Sequence, residues 1–380
     1  MLSKRDAFAI VSTGQIMTEE FYTLGKLARG VVGTNNYDGN TTLCMSSAVS
    51  GYKRSFGSDG PPGCYEDFEH TDCLLAFGSN LPEQHPIIYW RLQQVREQRS
   101  FPLIVVDPRV TMFAQNADIH LPVAPGTDLV LLNALAHVIL EEGLEDRGYI
   151  EAHTSGYDAF AELVEHYDPD TASGICGIDA DTIRNVARLY GRAGAAMTIW
   201  TMGINQSTHG SDGVVAINNL NLITGNIDRR GGLLVPRGPF DTLTLAGWIG
   251  LGGFNEHRTL RGDWHQVAGC FPVAALPGEI DNDDPRRIRA LFVSAGNPVH
   301  SMPNGAALAK AFEKLSLLVS IDIYRNETSA YADYLLPATD MLERSDYPAS
   351  HAMLQVTPHV QYTPAMVEPK YERRHEWRIF

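Results

Sequence analysis

The sequence predicts an α/β protein of two Rossmann-like, doubly wound domains that are related by an internal pseudo-repeat. Three observations lead to this prediction. An apolar run that ends in a glycine turn occurs twice, a second apolar run that ends in Asp follows each copy, and an Ala-Asp-x-x-Leu-Pro segment closes each copy. A repeat of this kind has to be found first, because it determines how the rest of the chain is interpreted.

The first pair of apolar runs comprises residues 74–80, Leu-Leu-Ala-Phe-Gly-Ser-Asn, and residues 290–298, Ala-Leu-Phe-Val-Ser-Ala-Gly-Asn-Pro. Continuous apolar runs of this length are typical of strands in a parallel sheet that is covered on both faces. Both runs are therefore predicted to be buried parallel strands, each followed by a glycine turn.

The next two pairs fix the register of the repeat. Apolar runs end at Asp107 and at Asp322, and the Ala-Asp-x-x-Leu-Pro segments contain Asp118 and Asp333. In each copy the two aspartates are 11 residues apart. The copies are therefore in register, which ordinary turn chemistry does not explain.

Helices are predicted between and beyond these strands from apolar residues at helical spacing. The predicted helices cover residues 84–97, 179–192, 213–224 and 305–314, with Asp179 as an N-cap. A further strand over residues 198–202 leads into a glycine turn. Residues 237–284 are weakly patterned and are expected to form a long excursion.

These elements predict three regions. Residues 1–40 and 280–380 form a discontinuous α/β domain, residues 41–250 form an inserted Rossmann-like domain, and residues 251–279 form an irregular connection. Ligands are expected outside the carboxyl ends of the strands.

Each copy has the features of a nucleotide site. Glycine lets the backbone approach a phosphate, and an Asp that ends the next strand accepts hydrogen bonds from a ribose. Two copies predict two nucleotides. The alternative is that these are ordinary turns and caps in a duplicated scaffold: a strand-ending turn at Asp107, a helix N-cap at residues 126–128 and a turn at Asn297.

Composition narrows the class of protein. The formal net charge of −15 argues against nucleic-acid binding, which requires a basic surface. No apolar run is long enough to insert into a membrane. The five cysteines include no Cys-x-x-Cys pair, which predicts reduced thiols, a cytoplasmic location, and no local zinc or iron–sulfur motif in this chain.

Cys44 follows a polar Gly/Asn-rich run, residues 33–40, and precedes a helix start of small residues. A thiolate there is favoured by a helix N-terminus, and it could act as a nucleophile or as a ligand of a soft metal. The alternative is a buried small hydrophobic residue. The residues alone leave all three open.

Several motifs in order resemble one family. These are the Asn-Asn-x-Asp and Leu-Cys-Met-Ser-Ser-Ala-Val of residues 33–49, the Gly-rich residues 56–67, both repeated units, and Met-Gly-Ile-Asn-Gln at residues 202–206. Together they resemble the molybdopterin-dinucleotide oxidoreductases, which include formate dehydrogenases, nitrate reductases and dimethyl sulfoxide reductase. The resemblance implies molybdenum or tungsten held by two molybdopterin guanine dinucleotides, one per domain, with Cys44 as the protein ligand.

The same resemblance implies roles for individual residues. One guanosine and its phosphates would be held by Gly78, Ser79, Asn80, Asp107, Arg109 and Asp128. The other would be held by Gly296, Asn297, Pro298, Asp322 and Thr328. The pterin side would include Met202, Gly203 and Gln206, with Gln206 also facing the substrate, and Asn36 would be a further cofactor-binding residue.

The chain also departs from the family pattern. It has neither the family's cysteine-rich iron–sulfur segment nor its C-terminal domain, so we expect a fragment, with a 4Fe-4S cluster only in the full-length protein. Met45 after the ligand favours a nitrate-reductase-like site over a formate-dehydrogenase-like one. Residues 235–241 match the family's arginine loop only partly, with Arg237 as the aligned arginine.

The expected function is two-electron oxidoreduction of a small substrate such as nitrate or formate, with an electron-transfer subunit or redox partner. The competing hypotheses are a nucleotide-binding α/β protein without redox function, and an inactive truncated fragment.

Overall fold

The computed structural model describes residues 4–235, 248, 253–348 and 361–380. The chain divides into two compact units: a first unit, Met1–Ser46 with Arg237–Phe380, and a second unit, Ser47–Pro236. The predicted division at residues 40, 250 and 280 differs from these limits. The aligned arginine, Arg237, and most of its loop lie outside the described residues.

The apolar runs of the sequence form strands. In chain order they are β1 (Phe8–Ser12), β2 (Tyr37–Gly39), β3 (Cys73–Phe77), β4 (Leu103–Val106), β5 (Ile119–Leu121), β6 (Ala196–Trp200), β7 (Ala290–Ser294), β8 (Leu317–Asp322) and β9 (Tyr334–Pro337).

Helices occupy most of the remaining described chain, together with short 3-10 turns and a π-helical stretch over Lys26–Val32. The α-helices are α1 (Thr18–Gly25), α2 (Asn40–Phe56), α3 (Leu81–Gln84), α4 (Pro86–Gln98), α5 (Met112–Gln115), α6 (Asp128–Glu141), α7 (Arg147–His153), α8 (Tyr157–Val164), α9 (Pro169–Cys176), α10 (Ala180–Gly191), α11 (Met202–Asn205), α12 (Gly210–Ile223), α13 (Leu276–Ile280), α14 (Pro298–Ser301) and α15 (Gly305–Phe312).

The second unit is built on a parallel sheet with strand order β5-β4-β3-β6. The strands are apolar along their length because helices and loops cover both faces, and β3 and β4 are buried throughout. This order is that of a Rossmann half-domain. Successive strands are added on one side of the first strand, and the fourth strand is then added on its other side. Here that switch point lies between β3 and β6.

The first unit is built on a parallel sheet with order β2-β1-β7-β8-β9. Its core packs β1, β7 and β8 against α13 and α15 through Leu291, Val293, Leu308 and Leu318. The predicted α/β class with parallel, Rossmann-like sheets is confirmed in both units. Residues 273–280, expected in part to be an irregular connection, instead contribute Leu276 and other core residues.

The internal repeat is visible in matched hydrogen bonds. The Asp118 carboxylate accepts from the Leu103 amide at 2.8 Å, and the Asp333 carboxylate accepts from the Leu318 amide at 2.8 Å. In return, the Asp118 backbone amide donates to the Leu103 carbonyl, and the Asp333 backbone amide donates to the Leu318 carbonyl. These aspartates therefore fasten β5 to β4 and β9 to β8. Their equal spacing in the two copies of the repeat is thus a structural requirement.

Two details of the helices differ from the pattern-based prediction. The helix predicted over residues 84–97 is divided into α3 and α4 at His85, because the residue before a proline disfavours helical backbone. Helix α6 was not predicted, because it is apolar on nearly all sides and lacks a period; it packs against α9, α10 and α12. Asp179 does cap α10, accepting from the Thr182 amide at 3.0 Å, as predicted.

Helices that could cross a bilayer were sought in the described part of the chain. None is both long enough and apolar enough to do so.

Candidate functional site

A cleft of about 320 Å³ opens at the carboxyl ends of β3, β4 and β6 in the second unit. Pockets for small molecules usually have volumes of roughly 300–1,000 Å³. The residues that line it are Gly78, Asn80, Gln84, Asp107, Pro108, Arg109, Pro125, Gly126, Asp128 and Gly203. Six of the predicted site residues thus lie together, at the switch point where the fold favours a ligand.

A close contact between two glycines forms part of this cleft. Gly78 follows β3 with φ of +49°, and a Cβ at this position would lie 2.6 Å from the Cα of Gly203. The Gly203 amide donates to the Gly78 carbonyl at 3.2 Å, and the Thr201 hydroxyl donates to the same carbonyl at 2.7 Å. The loops after β3 and β6 can approach this closely only because neither residue has a side chain.

Two buried polar groups next to Gly78 lack partners. The Ser79 hydroxyl and the Asn80 side-chain carbonyl have no hydrogen-bond partner among the described residues, although both residues are more than nine-tenths buried. Buried polar atoms in folded proteins are nearly always paired. Because Asn80 lines the cleft, a polar ligand there would satisfy its carbonyl oxygen.

Two carboxylates face the same cleft. Asp107 accepts a hydrogen bond from the Arg109 amide at 2.8 Å, which confirms the strand-ending turn and leaves the residue in the cleft wall. Burial raises the pKa of the Asp128 carboxyl above its ordinary value, and the nearby Asp107 carboxylate raises it further. Asp128 is the first residue of α6, where the helix dipole favours a negative charge.

The helix N-cap interpretation of residues 126–128 is confirmed for the backbone, because Thr127 is the N-cap residue of α6 and its carbonyl accepts from the Val130 amide at 3.0 Å. The Thr127 hydroxyl donates to the Ala124 carbonyl at 2.7 Å and makes no capping bond to α6. A Cβ at Gly126 would meet no atom within 4 Å, so the cleft is open beside it.

The corresponding turn of the first unit has a different geometry from the one that the sequence suggested. Ala295, with φ of +54°, directly follows β7, as Gly78 directly follows β3. The Ala295 amide donates to the Ile321 carbonyl, and the Gly78 amide donates to the equivalent Val106 carbonyl. Gly296 therefore occupies the place of Ser79. Its nearest neighbours would be 3.9 Å from a Cβ, so no close approach requires glycine there.

The side chain of Asn297, unlike that of Asn80, is fully engaged. Its carbonyl oxygen accepts from the Thr328 hydroxyl at 2.9 Å and from the Thr328 amide at 3.1 Å, and its amide donates to Glu327. The Thr328 hydroxyl also accepts from the Val299 amide at 3.1 Å, one residue beyond Pro298 in α14. Thr328 thus joins the loop after β8 to the turn after β7.

Cys44 lies in the second turn of α2 and its side chain is half-buried. Helix α2 begins earlier than expected, so that the cysteine lies within the helix and not before it. Asp38, in β2, accepts from the Thr42 hydroxyl at 2.7 Å and from the Val273 amide at 2.6 Å, which anchors the first turn of α2. Burial raises the pKa of Asp38 to about 6.

The other predicted cofactor-binding residues near the metal, and Asn36, lie in two places. Met202 and Gly203 belong to α11, and Gln206 is exposed directly after that helix. Asn36 lies at the amino end of β2, and its amide donates to the Asp6 carbonyl at 3.0 Å. Asn36 therefore has a structural partner. It lies at the amino end of its strand, whereas ligands are expected at the carboxyl ends.

Some cleft residues were missed by the sequence analysis. Gln84 accepts a hydrogen bond from Thr201 at 3.2 Å, and Pro125 and Gly126 form the wall before α6. Only the Gly-Thr-Asp of residues 126–128 carried a signal, as a tight turn before a helix. Gln84 is brought to the cleft by the break between α3 and α4, which the hydrophobic pattern does not reveal.

Comparison with protein families decides which class this arrangement belongs to. The family model described as molybdopterin oxidoreductase matches residues 2–380. The chain belongs to the molybdopterin oxidoreductase family. The resemblance noted from the ordered motifs is therefore confirmed.

Relatives within the molybdopterin oxidoreductase family include a nitrate reductase of Synechocystis, 36% identical, with 97% of this chain and 53% of the relative covered. The alpha subunit of an F420-dependent formate dehydrogenase from Methanocaldococcus jannaschii is 33% identical, with 99% and 56% covered. The fold is similar to that of acetylene hydratase from Pelobacter acetylenicus, with a TM-score of 0.82 at 22% identity, covering 98% of this chain and 54% of that one. The chain thus spans about half the length of the relatives it matches.

Proposed function

We propose that this chain is the cofactor-holding portion of a molybdenum or tungsten oxidoreductase that binds two pterin guanine dinucleotides, one in each unit. The observation that supports this most directly is the cleft of the second unit. It lies at the switch point of a Rossmann-type sheet and contains Asn80, a buried polar residue whose carbonyl oxygen has no partner among the described residues.

The cleft suits the nucleotide end of such a cofactor. Backbone at Gly78 and Gly203 can approach phosphate oxygens, since no side chain intervenes. The Asp107 and Asp128 carboxylates can accept hydrogen bonds from ribose hydroxyls or from the N–H groups of guanine. Arg109 offers a positive charge and a flat guanidinium face.

The first unit would bind the second nucleotide at the carboxyl ends of β7 and β8. Asp322 ends β8 as Asp107 follows β4, and the Gly296 backbone is open to approach. Because Asn297 and Thr328 already bind each other, they would hold the turn in place while Asp322 and the backbone contact the ligand. Pro298 begins α14 and fixes the direction in which the chain leaves this turn.

Cys44 would complete the coordination of the metal. Its half-buried thiol lies in the second turn of α2, and thiolates are ligands of soft metals. When bound, the pterin-held metal supplies the two-electron redox chemistry. Asp38 would hold the first turn of α2, and with it Cys44, in place through its bonds to Thr42 and Val273. Met202 and Gln206 are proposed for the pterin and substrate side.

The substrate class we propose is nitrate, with formate as the second candidate. Met45 follows Cys44, as in the nitrate-reductase-type motif, and the nitrate reductase of Synechocystis has higher identity than the formate dehydrogenase subunit. Electrons would come from a redox partner or an electron-transfer subunit, and a 4Fe-4S cluster would belong to the full-length protein. The proposed location is the cytoplasm.

Metal and nucleotide analysis of the chain expressed with molybdate or tungstate tests this proposal. We expect about one metal and two guanine nucleotides per chain, since the family's cofactor carries one nucleotide on each pterin. In Cys44→Ala the two dinucleotides still hold the metal, so the metal content should change little, but X-ray absorption should show one sulfur ligand fewer at the metal. Cys64→Ala is the matched control, because Cys64 is also a half-buried cysteine.

The competing hypotheses give different results. A nucleotide-binding protein without redox function would retain guanine nucleotide without metal, and an inactive fragment would retain neither. An unchanged number of sulfur ligands at the metal in Cys44→Ala would contradict the assignment of Cys44. Assays of the metal-loaded chain with nitrate and with formate, each with an artificial electron carrier, distinguish the two substrates.

A further inference from the structure

The matched hydrogen bonds of the two copies give a residue-by-residue equivalence at the ends of β4 and β8. In the second unit the Asp107 carboxylate accepts from the amide two residues later, that of Arg109, at 2.8 Å. In the first unit the Asp322 carboxylate accepts from the amide two residues later, that of Tyr324, at 3.0 Å. Tyr324 therefore takes the position of Arg109, which lines the cleft of the second unit.

The ring of Tyr324 is accessible, because 71% of the residue's surface is exposed. Other aromatic residues of the chain are similarly exposed, among them Tyr22 and Tyr334, so it is the position of Tyr324 at the carboxyl end of β8, equivalent to that of Arg109, which points to a ligand. Burial of the ring against a ligand there would be favourable.

The loop that carries Tyr324 is held by side-chain hydrogen bonds on both sides. The second Asp322 oxygen accepts from the Asn326 amide group at 3.0 Å, and Asn326 and Ser329 bind each other's backbone amides at 2.7 and 2.9 Å. Thr328 then fastens the loop to Asn297, after β7. The ring is thus presented by a pre-organised support, as binding residues commonly are.

Arginine and tyrosine share one property that matters for a nucleotide, namely a flat face. Guanidinium groups and aromatic rings both stack on nucleobases. We propose that Tyr324 stacks on the base of the nucleotide in the first unit, in the role that Arg109 fills in the second. This inference rests on the proposed function, and it adds that the two sites hold their bases by different means, one cationic and one aromatic.

Calorimetric titration of the full chain, prepared without cofactor, with guanosine diphosphate tests the inference. The unchanged chain should bind two nucleotides. Tyr324→Leu should weaken one of the two sites by about 5- to 150-fold, the range expected for loss of one base-stacking contact. Tyr324→Phe keeps the ring and should retain affinity to within about threefold. Arg109→Leu should weaken the other site, and the double variant should weaken both.

The outcomes separate the two claims. Two sites in the unchanged chain with no change in Tyr324→Leu would overturn the stacking role and leave the proposed function standing. A Tyr324→Phe variant as weak as Tyr324→Leu would also overturn it, because the hydroxyl and not the ring would then carry the binding. Absence of nucleotide binding by a folded unchanged chain would overturn the proposed function, and this inference with it.

Discussion

The same asparagine position has opposite hydrogen-bonding states in the two copies of the repeat. Asn80 of the second unit keeps a buried carbonyl oxygen without a partner among the described residues, whereas Asn297 of the first unit is bound by Thr328 and Glu327. The strands beneath them have the same order, direction and fastening aspartates. The repeated sequence therefore determines a common frame, namely the parallel strands and the aspartates that fasten them. The loops that follow each strand determine what this frame can bind.

The turn residues show the same contrast. Gly78 is required by its positive φ and by the nearby Gly203, whereas the first unit places Ala295 in that conformation and leaves Gly296 unconstrained. A left-handed alanine costs about 1 kcal/mol and is tolerated where no neighbour crowds its Cβ. A tightly packed turn and an open turn thus occupy equivalent positions.

The largest effect that we predict separates these two glycines. Gly78→Ala should lower the free energy of unfolding by about 2–4 kcal/mol, since the new Cβ is both left-handed and in collision with Gly203. Gly296→Ala, the matched control, should change it by less than about 0.5 kcal/mol. Urea unfolding followed by circular dichroism measures both. Equal losses in the two variants would contradict the difference between the turns.

An intermediate effect is expected at the hydroxyl groups beside the two asparagines. Thr328→Val removes a hydroxyl that makes hydrogen bonds to Asn297 and Val299, and should cost about 1–3 kcal/mol, because the Asn297 oxygen and the Val299 amide lose a buried partner.

Ser79→Ala is the comparison for Thr328→Val, because the Ser79 hydroxyl is buried without a partner. Without ligand, this substitution should leave the stability unchanged or raise it slightly. Thermal unfolding of both variants, without and with guanosine diphosphate, is the measurement. A clear loss of stability in cofactor-free Ser79→Ala would mean that its hydroxyl has a structural partner after all.

The smallest effect concerns the feature that the two copies share. Asp118→Ala and Asp333→Ala each remove the acceptor of one strand amide, and each should cost about 1 kcal/mol. Asp118 also pairs with Arg96 at 2.7 Å, but an exposed ion pair adds at most about 1 kcal/mol. Similar losses in urea unfolding support a common frame, and a negligible loss in one copy only would break the equivalence.

Much of the frame could be predicted from the sequence, for identifiable reasons. Apolar runs at residues 74–77, 103–106, 290–293 and 317–321 are strands because both faces of a parallel sheet are covered, and the spacing of Asp118 and Asp333 is preserved because each fastens a strand. Helix α6 could not be predicted in this way, because a helix that is buried all round loses the periodicity that marks an amphipathic one.

The site was predictable only in part. Gly78, Asn80, Asp107, Arg109 and Asp128 meet in one cleft because strand-end loops converge at the switch point. The status of Asn297 could not be predicted, since it depends on Thr328, which lies 31 residues away in the chain and is brought close by β8. The place of Gln84 in the cleft could not be predicted, because it depends on the helix break at His85 and not on the hydrophobic pattern.

The central claim is that each copy of the repeat binds one nucleotide at the carboxyl ends of its strands. Hydrogen–deuterium exchange of the full chain with and without guanosine diphosphate tests it most directly. We expect slower exchange on binding in residues 78–80, 107–109 and 126–128 and in residues 295–298 and 322–328. Slower exchange confined to other segments, or none in a chain that binds the nucleotide, would contradict it.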